Sequence, residues 1–306
     1  MKIEKISHGK YRWINISGPD EGIADFLRSE FKAHPLMIED VLSKSEYPKI
    51  DAFDEYLFAI LQFPIFNPEK KMYNRTELDI LLGRDYIVTI NSGKLQPLQQ
   101  FFERTRTQPK LREKYMGDGV ARLFYEIVDS LFDQVFPFVQ QKYDVIFRLE
   151  EDIFESIELH DAIQDIMILK RDLINIRRII VPQRDVIHDI ELKYKKFIPE
   201  ELDIYFNDIV DKIDKITNQL ETATKYVDVL QDANETIITR NTNRVIKILT
   251  IFSVTLLPLT LVTGYYGMNL ALPLQNHPNG IYFINGLMLI LLFLMLGFFF
   301  RKRWLS

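Results

Sequence analysis

The residues whose spacing could carry chemistry are almost all uncharged. Thr250, Ser253, Leu257, Thr260 and Gly264 follow one another at spacings of 3, 4, 3 and 4, which puts them on one face of a helix. Extended toward the N-terminus, the same stripe reaches Asn243. A mildly polar stripe of small residues has two explanations. It can be a surface for close helix packing, where hydroxyls and small side chains are enriched, or it can be the wall of a water-filled path. Just beyond it stand Tyr266, Gly267, Met268 and Asn269, and an asparagine there also suits a helix C-cap. Bond-making chemistry is not indicated. With no cysteine in the chain, a disulfide framework, a thiolate metal site and a Cys nucleophile are excluded. No phosphate-cradling glycine loop is present, which argues against ATP-driven pumping. Neither a G-x-S-x-G nor an H-E-x-x-H motif occurs. His8, His34, His160, His188 and His277 are scattered, and each suits a surface or a satisfied core position.

Hydropathy and charge show what must position the stripe. The chain has 306 residues and a net charge of −5, but the split is uneven. All 43 acidic residues lie at or before Glu235, with 32 basic ones, a net of −11. The last 71 residues hold six bases (Arg240, Arg244, Lys247, Arg301, Lys302, Arg303) and no acid. An acidic body with an apolar, acid-free tail excludes a simple soluble enzyme and argues against a nucleic-acid partner. Ile248 to Tyr266 is a 19-residue stretch without charge, and Ile281 to Phe300 is another of 20 residues. Each is about as long as a membrane-crossing helix requires, roughly 20 residues. Bases flank the outer margins of this pair, and the link from Asn269 to Gly280 carries none. The positive-inside bias then puts both termini and the acidic body in the cytoplasm. Met1 to Trp13 lacks an apolar h-region, so no signal peptide is expected. The second span, with Asn285 near its outer end, reads as a lipid-facing anchor. Two spans cannot enclose a path, so a pore requires an oligomer.

The acidic body reads as α+β at its start. Ile3 to Ile6, Tyr11 to Ile16, Tyr56 to Phe63, Glu77 to Leu82 and Tyr86 to Ile90 are β-like runs, punctuated by turn signals at Asn67-Pro68 and Gly83-Arg84-Asp85. Asp20 to Lys32 reads as a helix. No glycine occurs between Gly119 and Gly264, so long helices are expected. Ile166, Leu169, Leu173, Ile176 and Ile180 form one apolar stripe. Ile209, Ile213, Ile216, Leu220, Ala223, Val227 and Leu230 form a heptad seam. That pattern runs without a breaker into the first span, so one helix from about Pro199 to Tyr266 is expected, a rod coupling the body to the membrane.

Tyr266-Gly267-Met268-Asn269, directly after one apolar span and shortly before another, resembles the CorA family of magnesium and cobalt transporters. The resemblance covers nearly the whole chain. Asn243 to Thr250, Pro258-Leu259-Thr260 and Gly264 are similar to the family's pore helix, and Arg301 to Leu305 to its basic tail. His34 to Asp40, Pro48-Lys49 and Tyr205 to Asp211 are similar to its cytoplasmic segments. The resemblance implies a homopentameric funnel: an α+β cytoplasmic domain with an α/β/α layer, then long helices and two C-terminal transmembrane helices. The expected segments are 1–115 for the α/β domain, 116–247 for the long-helix region and 248–306 for the membrane domain. It implies that Tyr266, Gly267, Met268 and Asn269 form a selectivity filter, and that Asn243, Thr250, Ser253, Leu257, Thr260 and Gly264 line the pore, with Leu257 an apolar constriction. It implies Mg²⁺ as both cargo and regulator, with Glu39, Asp40, Asp129 and Asp208 as regulatory ligands. The implied partners are other copies of the chain, the lipid bilayer and divalent cations. The implied location is a bacterial or archaeal plasma membrane. A strongly hydrated ion such as Mg²⁺ sheds water reluctantly. Neutral oxygens can hold it hydrated and still release it.

One segment departs from the family. Its loop typically carries a Met-Pro-Glu-Leu run, whereas Leu270 to Gly280 here has no acid. Ion preference is therefore open. His277 keeps a proton-coupled Zn²⁺ transporter of the same superfamily in view, and a non-conducting, membrane-anchored metal-sensing scaffold is a third reading.

Overall fold

The computed structural model describes residues 1–43, 47–155, 162–273 and 277–302. The chain divides into two compact units, Met1–Gln231 and Asp232–Ser306.

The first unit is organised by a mixed sheet. Its strands are β1 (Lys2–His8), β2 (Tyr11–Ser17), β3 (Lys49–Ala52), β4 (Leu57–Asn67), β5 (Met72–Leu82) and β6 (Tyr86–Asn91). Their spatial order is β1-β2-β6-β5-β4-β3. Only β2 and β6 run parallel; the other neighbours are antiparallel. The chain leaves β2 through α1 (Ile23–Phe31) and α2 (Pro35–Leu42), enters at the far edge as β3, and meanders back until β6 lies beside β2. Both turn signals mark hairpins. Asn67 Oδ1 accepts from the N–H groups of Glu69 and Lys70 at 3.0 and 3.2 Å, an Asx turn. At Gly83 an added Cβ would lie 2.3 Å from the Tyr86 ring, so a side chain there is excluded.

Successive strand residues face opposite sides, and helices cover both. On one face Ile14, Ile16, Phe58, Ile60 and Val88 pack with Ile23 and Leu27 of α1 and with Met37 and Val41 of α2. On the other, Trp13 meets Phe102 of α3 (Gln96–Thr107) edge-on at 4.7 Å, and Phe63 meets Phe132 of α5 (Val120–Asp133) at 5.3 Å. The α/β/α layering is thus observed. The α1 helix is shorter than the Asp20–Lys32 expectation. Asp20 Oδ1 accepts from Gly22 N–H at 3.0 Å, holding a turn instead, and Lys32 ends the helix in the left-handed conformation.

The remaining helices of this unit are α4 (Pro109–Met116), α6 (Val135–Glu155), α7 (Ala162–Ile180), α8 (Gln183–Lys193) and the start of α9 (Asp203–Tyr266). The α9 helix begins at Asp203 because Glu200–Leu202 winds as a 3-10 turn after Pro199. Both apolar stripes are buried: every residue of the α9 seam from Ile209 to Leu230 is at most 2% exposed. Arg177–Glu221 and Lys170–Asp228, each at 2.7 Å, tie α7 to α9. A buried Lys142–Asp172 pair at 2.8 Å ties α6 to α7. Gln183 of α8 does what a further strand would do: its amide donates to Gln62 O and accepts from Gln62 N–H, beyond the end of β3.

The second unit holds the C-terminal part of α9 and α10 (Gly280–Arg301). Both helices are long and apolar enough to cross a membrane.

Candidate functional site

In the second unit, α9 has two different faces. Ile251 and Thr255 are buried; Pro258, Leu259, Val262 and Tyr266 are half-buried. At about 100° per residue, the Asn243–Gly264 stripe falls on roughly the opposite side. Asn243, Ser253, Leu257, Thr260 and Gly264 are exposed and Thr250 is half-buried; Leu257 is 68% exposed. The hydroxyls of Thr250 and Thr260 donate to the carbonyls of Ile246 and Leu256 at 2.8 and 2.9 Å. A threonine that spends its proton on its own helix keeps its oxygen lone pairs for outside donors or cations. The stripe therefore offers neutral acceptors interrupted by one leucine.

At the end of α9 the chain winds off tightly. Gly267 N–H donates to Thr263 O at 2.9 Å and Met268 N–H to Tyr265 O at 3.3 Å. A Cβ on Gly267 would press on Thr263 O at 3.0 Å, so glycine suits the step. Neither Gly267 nor Asn269 takes the left-handed conformation, and Asn269 lies three residues past the last residue of α9, Tyr266, so Asn269 is not a left-handed cap of this helix. Met268 and Asn269 are both exposed. In the loop beyond, His277 starts α10: its Nδ1 accepts from Asn279 N–H at 3.2 Å and its carbonyl from Gly280 N–H at 2.8 Å. Leu274 to Asn276 and the tail from Arg303 to Ser306, with the expected basic Arg303, lie outside the described residues.

The four expected regulatory acids fall at two places in the first unit. Glu39 and Asp40 are on α2, where His34 and Pro35 start the helix. Asp40 Oδ2 accepts from Lys49 Nζ of β3 at 2.5 Å, and Lys49 also lies 3.3 Å from Asp51. Burial opposes the Lys49 charge, but these two carboxylates outweigh it and hold the ammonium above its usual value. Asp129 of α5 and Asp208 of α9 converge on Lys212, at 2.6 and 3.9 Å from its Nζ. Burial raises the Asp129 carboxyl above the usual range, with Lys212 pulling the other way. Among the described residues, no three acidic or imidazole side chains come together as a group that could hold a metal ion.

Sequence reasoning missed two residues here. Lys212 was legible as an i,i+4 partner of Asp208 on a helix. Asp79 of β5 was not: it is 5% exposed with Oδ1 unpartnered. Burial and the neighbouring Glu77 hold its carboxyl well above the ordinary range.

Comparison with known proteins agrees with this layout. The family model described as CorA-like Mg²⁺ transporter protein matches residues 8–303. YfjQ of Bacillus subtilis (strain 168) is 30% identical over 96% of this chain and 90% of its own. The cobalt/magnesium transport protein CorA of Thermotoga maritima is 28% identical over 96% of this chain and 83% of its own. The complete structure of the CorA magnesium transporter from Methanocaldococcus jannaschii superposes with a TM-score of 0.85 at 20% identity, over 98% of this chain and 94% of that one.

Proposed function

Because this chain belongs to the family of CorA-like Mg²⁺ transporters, membrane proteins that move divalent metal ions, we propose that it is a Mg²⁺ and Co²⁺ channel built from five copies. Five α9 helices line the path and the α10 helices surround them. The observation that carries this reading is the exposed, neutral face from Asn243 to Gly264, leading to an exposed Asn269 and lying opposite the buried face of the same helix. Lipid offers no partner to an asparagine side chain or to the spare lone pairs of a hydroxyl. Around a common axis those groups meet water and ions.

In this reading Asn269 offers its side-chain carbonyl to the ion's water shell, and the Tyr266–Met268 backbone shapes the mouth. Neutral oxygens bind weakly enough for release. Leu257 forms an apolar ring that dewets and closes the path. Inward drive comes from the membrane potential, about 4.6 kcal/mol for two charges at 100 mV. The body and both termini are cytoplasmic, and the host membrane is a bacterial or archaeal plasma membrane. The exposed carboxylates of Glu39 and Asp208, with Asp40 and Asp129 behind them, are the regulatory Mg²⁺ ligands. Among the described residues one chain does not complete such a site, which fits sites shared between copies. Acids brought together repel, and a divalent ion relieves that repulsion, holding the copies in the closed arrangement.

The test is uptake into proteoliposomes. Mg²⁺ influx is expected to follow an inside-negative potential without a pH gradient. Asn269→Ala should nearly abolish it while the oligomer keeps a mass near five 36.2 kDa chains. Zn²⁺ uptake that requires a pH gradient would favour the proton-coupled alternative, and absence of any flux would favour a scaffold.

A further inference from the structure

The sheet leaves one edge half covered. β3 pairs with β4 only from Leu57 to Ile60, whereas β4 runs on to Asn67. α7 is fastened beside this stretch near both of its ends. Arg171 Nη2 donates to Lys71 O at 2.7 Å in the β4–β5 turn, and Gln183, just past α7, holds the backbone of Gln62. Between these anchors lies a cleft of about 390 Å³. Arg75 of β5 and Asn175 and Arg178 of α7 give it a polar lining. Asn175 and Arg178 are three residues apart and share a helix face. Asn175 Nδ2 is buried and has no hydrogen-bond partner among the described residues. A buried donor left unmet costs stability, and an acceptor from outside would remove that cost. Arg178 is exposed and makes no ion pair among the described residues. Up to Glu235 acids outnumber bases 43 to 32, yet no acid is among the described residues that line this cleft. Apolar and aromatic surface comes from Tyr47, Pro48 and Met72, and Tyr47 is 66% exposed.

We propose that this cleft binds an organic phosphate of nucleotide size. Planar guanidinium forks match phosphate oxygens in pairs. Two of them beside a buried amide donor suit a dianion, and without a carboxylate they repel a metal cation. The volume falls within the usual range of small-molecule pockets, above what bare phosphate fills. The exposed Tyr47 ring offers a face on which a base can stack. A seated ligand bridges β5 and α7, and α7 is tied to α9 through Arg177–Glu221 and Lys170–Asp228. None of Glu39, Asp40, Asp129 and Asp208 lines the cleft, so this site stands apart from the regulatory acids and from the path along α9.

The test is calorimetric titration of the full chain in detergent, free of divalent metal, with adenosine 5′-monophosphate (AMP), adenosine and inorganic phosphate as separate probes. AMP is expected to bind saturably, and adenosine and inorganic phosphate each at least about tenfold more weakly. Arg178→Gln should weaken AMP binding about tenfold, the order of one lost charged hydrogen bond. With no ion pair to lose, this variant should unfold at the wild-type temperature. Asn175→Asp sets a carboxylate against the phosphate and should abolish binding. Arg177→Gln removes the same charge one residue away, from a guanidinium that pairs with Glu221 at 2.7 Å, and should leave AMP binding unchanged. No saturable AMP binding at millimolar concentration would overturn the proposal, as would equal binding by the wild type and Arg178→Gln. Inorganic phosphate binding as tightly as AMP would overturn the nucleotide assignment, and adenosine binding as tightly would overturn the role of the arginines.

Discussion

The same helix meets two different fates along its length. In Met1–Gln231, the α9 seam from Ile209 to Leu230 is buried to 2% exposure or less against its own chain. In Asp232–Ser306, only 11% of the apolar window of α9 and 6% of that of α10 is buried. The apolar residues of the first unit find their partners within one chain. Those of the second find few partners within the chain, which is what the proposed channel, with lipid and other copies around it, requires. A period of 3.6 residues governs both stretches, so periodicity alone does not distinguish a core seam from a conducting face. What distinguishes them is composition: branched aliphatic residues in the seam, hydroxyls and glycine in the stripe.

The largest expected effect that sharpens this contrast is on stability. Leu220→Ala removes a fully buried side chain and should cost the first unit about 2–5 kcal/mol. Leu257→Ala should change stability by no more than about 0.5 kcal/mol, since Leu257 is 68% exposed. Thermal unfolding of the detergent-solubilised variants reads both. Equal losses would erase the distinction between seam and stripe.

A smaller effect separates the units by pH. Burial and Glu77 place the folded-state pKa of Asp79 above its unfolded value. The folded protein then holds a proton that the unfolded chain releases. That stability is fully present below the unfolded carboxylate value and is lost as pH rises through the folded one. Asp79→Asn should flatten this slope and stabilise the first unit by about 1 kcal/mol at pH 8, without touching the second. A variant that keeps the wild-type slope would show that Asp79 is not its source.

Much of the fold was legible because it is written in local period. The strand runs starting at Tyr11 and Tyr86, the α7 and α9 stripes and the two spans all reappear. β3 went unread because Lys49–Ala52 is only four residues, too short for its alternation to signal a strand: it is an edge strand held by pairing with β4. The first half of β5 carries the polar run Asn74 to Thr76 and is strand because it is the return arm of a hairpin. Gln183 left no local signal, since its role depends on the edge of β4 that extends past β3, far away in sequence. Among the acids, sequence identified the carboxylates but not their occupants. Lys49 and Lys212 lie beside Asp40 and Asp129 only once strand and helices have packed.

The central claim is that the Asn243–Gly264 face of α9 conducts. Because the chain has no cysteine, single cysteines can be placed without background at Ser253, Leu257 and Thr260 on that face, and at Ile251, Thr255 and Val262 on the other. A cationic thiol reagent is then applied to proteoliposomes while Mg²⁺ flux is followed. The account expects block at positions 253, 257 and 260 and little change at 251, 255 and 262. Block following the opposite face, or equal at all six positions, would contradict it.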